Sequence, residues 1–331
     1  MKMFLFLIIS IFLWRELYVK WPDKLLHLVV CDVGQGDAIL FSYMGQQILI
    51  DAGPNDKIIN CLNDKMPFWD KKIDILILTH YDEDHIGGFK HVAQSYEIGY
   101  VFLPLTDYKE SKTFLELQER LLAMQELGLK IKQPFLGQQI SLVEFKPEYQ
   151  AKYNSMLTLD LTFLTPFVLD AEQYVLLEEN QRFAWQNTET YLSAAEWQKT
   201  ATLESNNNGS IATFIQFGEL KILLTGDLEL PREVALIERS LIGRVDVQKA
   251  GHHGSKTASG LDFLEATRPE MGLISCGLNN KFSHPHPEVL SNFAATLTKI
   301  VRTDELGTIE ILSDGQKFWL KDEKQNLLWK K

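Results

Sequence analysis

The chain has 331 residues, 45% of them hydrophobic and 23% charged, enough for one large globular domain or two ordinary ones. Lys and Arg number 33 against 44 Asp and Glu, a formal net charge of −11. That balance excludes loose electrostatic coating of nucleic acid or anionic lipid, but not an anionic substrate held at one local site.

In chain order, the first feature is MKMFLFLIISIFLWRELYVKWP, where an unbroken apolar run from Met3 to Trp14 follows Lys2. The run is shorter than the ~20 residues of a helical membrane span and suits the apolar core of an export signal. Residues 1–22 therefore read as a signal sequence or uncleaved anchor, with a buried first helix as the alternative, and the remainder as extracytoplasmic. From Leu25 onward, short β-rich runs are expected at 25–31, 38–43 and 47–50, and a strand buried on both faces at 74–79. Helical spacing ending at a glycine predicts a helix over 111–128. Strands follow at 130–135, 140–145 and 160–164. The polar stretch 170–208 carries no legible chemistry, and 170–205 reads as a surface insertion with helix at 194–200. Strands at 211–217, 220–225, 245–249, 271–276 and 307–312 then alternate with helices at 229–239, 257–267 and 286–297. Three cysteines without CxxC spacing cannot complete a disulfide framework, and Cys31 and Cys276, in apolar runs, read as buried thiols.

Four apolar strands end in ligand-type residues. ILILTHYDEDHIGG (75–88) stops at Thr79 and delivers His80, Asp82, Glu83, Asp84 and His85. In extended geometry His80, Asp82 and Asp84 would share a side, with His85 opening a turn whose glycines pass close to a metal. KILLTGDLE supplies Asp227, VDVQKAGHHGS supplies His252 and His253, and MGLISCGLNNKFSHPHP supplies His284 and His286. The carboxyl ends of strands are where α/β folds place ligands, and imidazole with carboxylate suits Zn, Mn or Fe.

The order HxDxDH, TGDLE, GHHGS, HPH resembles the metallo-β-lactamase fold and, more narrowly, the extracytoplasmic hydrolase domain of ComEC competence proteins. CDVGQGDAIL (31–40), ILIDAG (48–53) and VRTDELGTIEI (301–311) extend the resemblance. It implies an α/β architecture, an αβ/βα sandwich of two mixed sheets with helices on the outer faces, as one domain over 23–331. It further implies one or two divalent ions held by His80, Asp82, Asp84, His85, Asp227 and His284, with Asp227 bridging. Asp84, His253 and His252 become catalytic, one of the paired histidines protonating a leaving oxygen, His253 ahead of His252. Asp51 becomes a brace of the metal loop, and Asp37 either orients the same edge or serves a turn.

Two departures from the superfamily pattern stand out. Asp82 replaces the second histidine of HxHxDH, and SNNNGS replaces a later histidine, so Asn206, Asn207 or Asn208 offers an amide oxygen at most. Oxygen in place of imidazole favours Mn, with Zn or Mg as alternatives. Lys249, Lys256 and Lys281 lie beside the site loops, either to receive a phosphate backbone or as solvated charge. The expected activity is phosphodiester hydrolysis, as a DNA nuclease linked to DNA uptake, the chain working either beside a separate membrane channel chain or as a free-standing relative with its own phosphodiester substrate. The alternatives are hydrolysis of a lactone, thioester or lactam, or a non-catalytic module that binds DNA or a channel.

Overall fold

A computed structural model describes residues 23–104, 111–142, 157–165 and 207–330. The apolar segment 1–22, the insertion 170–205 and Asn206 lie outside the described residues. Among those described, no helix is long and apolar enough to cross a membrane.

Sixteen described strands form two sheets. The first sheet runs β16 (Leu327–Lys330), β15 (Phe318–Lys321), β14 (Ile309–Ser313), β1 (Leu26–Val30), β2 (Ile39–Tyr43), β3 (Gln46–Ile50), β4 (Lys72–Ile77), β5 (Glu97–Phe102) and β6 (Lys130–Lys132). The second runs β13 (Lys299–Arg302), β12 (Met271–Ile274), β11 (Val247–Lys249), β10 (Leu220–Leu224), β9 (Thr213–Phe217), β8 (Leu159–Phe163) and β7 (Gln139–Ser141). Both are mixed: β3 through β6 and β10 through β13 pair in parallel, the remainder antiparallel. The expected two-sheet αβ/βα sandwich is the observed fold.

Strand alternation builds the layers. Ile75 and Ile77 point between the sheets, where they join Phe41, Phe102, Phe163, Phe217 and Leu273. Leu76 and Leu78 point outward, onto α1 (Lys57–Lys65), α3 (Phe89–Ser95) and α4 (Lys112–Glu126) through Leu62, Val92 and Leu117. With apolar partners on both faces, DILIL has to be a continuous hydrophobic run. On the second sheet, α5 (Leu230–Glu238), α6 (Leu261–Thr267) and α7 (Pro287–Ala295) cover Leu223 and Ile274 with Leu236, Phe263 and Phe293.

Three readings are corrected. Cys31 is not a thiol: it forms a disulfide with Cys61 on α1, while Cys276 is free and buried. An odd cysteine count forbids pairing of all three, not of two. The helix expected at 257–267 begins only after Gly260, because Ser259 N and Gly260 N donate to the buried Glu233 carboxylate instead of entering a helix. The close approach that the glycines after His85 permit is to backbone: a Cβ at Gly87 or Gly88 would collide with the backbone carbonyls of Pro54 and Ala52. Helices α1 and α3 and strands β5, β13, β15 and β16 have no counterpart in the sequence reading.

Candidate metal centre

The carboxyl ends of β3, β4, β10, β11 and β12 meet along one edge, and their exit loops bring the ligand-type residues together. After Thr79 and His80 the chain does not stay extended. It turns at Asp82 into the short helix α2 (Glu83–Ile86), so Asp84 and His85 are helical and His80, Asp82 and Asp84 do not simply alternate. Asp51, His252 and His253 all have left-handed backbone, with φ of 59°, 46° and 54°. Such conformations cost about 1–3 kcal/mol each in non-glycine residues and concentrate at functional sites.

Each buried imidazole has its Nδ1 occupied and its Nε2 aimed inward. His85 Nδ1 donates to Asp51 Oδ2 at 2.7 Å. The same carboxylate accepts from Thr79 N and Thr79 Oγ1, both at 2.7 Å, and Thr79 Oγ1 lies 3.0 Å from His80 Nδ1. His253 Nδ1 donates to Ser275 O at 3.0 Å, with Asp37 Oδ1 3.3 Å away. These partners assign the Nδ1–H tautomer and leave Nε2 lone pairs facing Asp227. The Nε2 atoms of His85, His253, His252 and His80 lie 3.4, 3.4, 3.7 and 3.8 Å from its carboxylate oxygens.

That convergence has a fault unless a cation is supplied. The Nε2 atoms of His85 and His253 are only 3.2 Å apart, and each carries a lone pair in the assigned tautomer. His80 Nε2 and Asp227 Oδ1 are buried without a hydrogen-bond partner. Orphaned buried acceptors of this kind are costly in a folded chain, and a metal ion satisfies them. Burial alone would lower the His253 pKa, but Asp227 and Asp37 outweigh it and raise it to about 10, so a proton on Nε2 competes with a metal ion for this position. His85 is raised in the same manner by Asp227 and Asp51 against its burial. One ligand atom each from Asp37, His85, Asp227 and His253 falls within 4.8 Å of the others, a group able to hold a divalent ion.

The remaining expected residues ring this group. Asp84 Oδ2 is 3.3 Å from His253 Nε2 and part-exposed. Asp82 is the outermost acid, 47% exposed, with Oδ2 3.7 Å from His80 Nε2. His284 lies with its ring 5.7 Å from that of His252 and 6.5 Å from that of His253, and its Nδ1 is buried without a partner. His286 turns away to accept from Glu288 N at the start of α7. Of the paired histidines, His253 is sealed at 1% exposure and His252 stands at the mouth at 26%. Asn207 Nδ2 is 3.5 Å from His252 Nδ1, whereas Asn208 pairs with Glu229.

Residues that the sequence reading undervalued lie beneath. Lys249 is buried, with Nζ 2.6 Å from Asp37 Oδ2 and donating to the carbonyls of Gly226 and Ala250. It therefore neither receives a phosphate backbone nor carries a solvated charge. A lysine at the end of an apolar strand was the available signal. Thr79, Ser275 and Ser210, whose Oγ accepts from Asp227 N at 3.2 Å, had none.

The chain matches the metallo-β-lactamase superfamily model over residues 31–141. It is 27% identical over 297 residues to ComE operon protein 3 of Bacillus subtilis, covering 84% of this chain and 32% of that protein. To Recombination protein 2 of Haemophilus influenzae it is 22% identical, over 85% of this chain and 28% of that one. To Competence protein ComA of Neisseria gonorrhoeae it is 24% identical, over 87% and 32%. The chain thus spans about a third of the length of these relatives.

Proposed function

We propose that this chain, a metallo-β-lactamase-fold protein related to competence proteins, is a metal-dependent phosphodiester hydrolase that cleaves DNA outside the cytoplasm. The observation that carries the reading is the inward convergence of imidazole Nε2 atoms on Asp227, with His80 Nε2 and Asp227 Oδ1 buried and unpartnered. His80, His85, Asp227 and His253 would hold the metal, with Asp82, Asp84 and His284 completing the ring. A divalent ion there supplies Lewis acidity toward a phosphoryl oxygen and a nucleophile at neutral pH. Asp82, an oxygen donor where the superfamily pattern has imidazole, and the loss of the later histidine at SNNNGS favour Mn over Zn.

The chain's own groups do the rest. Asp51 and Thr79 fix the rings of His85 and His80; Ser275 and Asp37 fix that of His253. Asp84 faces the mouth and can accept a proton or orient a water at Oδ2. His252, the more exposed of the pair, has its Nδ1 within 3.7 Å of Glu229, so its position suits proton donation to a leaving oxygen. The burial of His253 suits it to holding metal, which favours His252 as donor although the sequence reading put His253 first. The Cys31–Cys61 disulfide supports an oxidising, extracytoplasmic compartment. DNA and a separate channel chain are the proposed partners.

The test is hydrolysis of single-stranded DNA, double-stranded DNA and bis(p-nitrophenyl) phosphate by metal-stripped protein resupplied with Mn, Mg or Zn. Turnover is expected with Mn above Zn. His252→Ala should lower kcat on DNA by about 10²–10⁴-fold and fall much less on the activated ester, which needs little protonation. Hydrolysis of a lactone, thioester or lactam in place of phosphodiesters would redirect the reading within the fold. No metal uptake and no hydrolysis would leave a binding module.

A further inference from the structure

Above the metal centre, the loop joining β12 to α7 presents side chains that the ligand set does not use. Asn280 is its hub. Its Nδ2 donates to Gly277 O at 2.9 Å and His284 O at 2.6 Å, and its Oδ1 accepts from Phe282 N at 3.1 Å and His284 N at 2.9 Å. Thus pinned, Phe282 is 50% exposed and stacks on His284, the ring centroids 5.7 Å apart and the planes at 25°. Lys281 places Nζ 5.0 Å from the centroid of the Phe282 ring. His284 in turn lies 5.7 Å from His252. A half-exposed aromatic ring is therefore held one ring away from the metal centre, backed by His284 and with the mobile cation of an exposed lysine lying over it.

Four hydrogen bonds to one asparagine keep Phe282 from collapsing onto apolar surface elsewhere, so the exposed ring is preorganised for a flat partner. Phosphodiester chemistry below and an ammonium over the ring narrow that partner to a nucleobase whose own phosphate draws the Lys281 side chain off the face as the base takes its place. Inside a duplex both faces of a base are already stacked, so the base has to be unpaired. We propose that Phe282, backed by His284, is a stacking platform for an unpaired base of a DNA strand at the metal centre, with Lys281 meeting the adjoining phosphate. The inference rests on the phosphodiesterase reading for the identity of the ligand, and it makes the site selective for single strands or frayed ends.

Two measurements test it on the full chain. The first is kcat/KM with Mn on a single-stranded oligonucleotide and on bis(p-nitrophenyl) phosphate, which has no base to stack. Base stacking on an aromatic side chain is worth about 1–3 kcal/mol, so Phe282→Ala should lower the oligonucleotide-to-ester ratio about 10–100-fold, and Phe282→Trp should recover it. The second is the anisotropy of a fluorescein-labelled oligo-dT in the presence of chelator, where Phe282→Ala should weaken binding by a similar factor. Equal losses on both substrates, with no recovery by tryptophan, would mean that Phe282 only supports His284, and the platform would be wrong. Unchanged oligo-dT binding would also overturn it. A wild-type chain that hydrolyses no phosphodiester yet binds oligo-dT through Phe282 would refute the proposed activity and leave the platform standing.

Discussion

Lys249 is the residue whose burial most needs a reason, since an unpaired ammonium in the interior is strongly disfavoured. Its partner Asp37 supplies one: the carboxylate sits between Lys249 Nζ and the Nδ1 edge of His253. Burial pushes the ammonium toward deprotonation, but Asp37 and then Asp227 hold it charged. Asp37 thereby stays ionised next to His253 without needing a metal to neutralise it. Lys249→Met alone strands the carboxylate and should cost about 3–5 kcal/mol in stability. Combining it with Asp37→Asn removes both charges and should recover most of that loss. If the pair positions His253, the double variant still has metal affinity reduced about 10–100-fold, the usual effect of losing a group that orients a metal-bound histidine. Denaturant titration and competition against a metal indicator separate the two quantities. Wild-type affinity in the double variant would reduce the pair to charge balance.

At the scale of elements, β1, β14 and α1 are joined outside the core by Glu310, which accepts from His27 at 2.8 Å and from Lys65 at 3.2 Å. His27 also reaches Asp23 at 3.2 Å, and the Cys31–Cys61 disulfide ties the same helix to the end of β1. Burial opposes the charge on His27, but its bonds to Asp23 and Glu310 win and lift its pKa from 6.5 to about 9. Burial likewise opposes the Glu310 charge, and His27 with Lys65 brings it from 4.5 down to about 2. The sign follows from which form each state prefers. The raised histidine contributes stability that is complete below pH 6.5 and lost as pH rises through about 9. The depressed glutamate contributes stability that is complete above pH 4.5 and lost as pH falls through about 2. These are two ends of one interaction and are not summed. Glu310→Gln should cost about 1–3 kcal/mol near pH 5.5 and flatten the decline between pH 6.5 and 9. Melting curves of both chains across that range check it, since other titrations cancel in the comparison. A constant offset at every pH would show that His27 does not draw its charge from Glu310.

For the whole molecule, the centre draws on both sheets: His80 and His85 follow β4 of one, Asp227, His252 and His253 follow β10 and β11 of the other. A ligand that binds only when the two halves are assembled stabilises the fold, by about 2.7 kcal/mol at a hundredfold excess over its Kd. Mn or Zn should therefore raise Tm and chelation should lower it. Asp227→Asn should abolish the metal-dependent rise. It should also lower the metal-free Tm, because the Asp227 carboxylate is the counter-charge of the buried His85 and His253. A variant that still gains stability from metal would exclude Asp227 from the ligand set.

The amino-acid order by itself determined the buried strand before His80 and the edge on which ligands gather, whereas the two-sheet architecture was implied by the family resemblance that its motifs carry. Local rules sufficed, because a continuous apolar run that ends in polar ligand-type residues specifies both a doubly covered strand and its functional end. It did not decide which histidine faces water, since His252 and His253 are adjacent and only their left-handed backbone turns one ring inward and the other to the mouth. Nor did it reveal that Asp37 meets Lys249 or that Cys31 meets Cys61. Those contacts join segments far apart in the chain, and their geometry exists only once both sheets and α1 have packed. The same holds for the Phe282 platform, which needs Asn280 to fix the loop and His284 to lie behind the ring. Apolar pattern, short-range and repeated along the chain, sets the layers; the direction of a polar side chain is set by partners that only tertiary packing supplies.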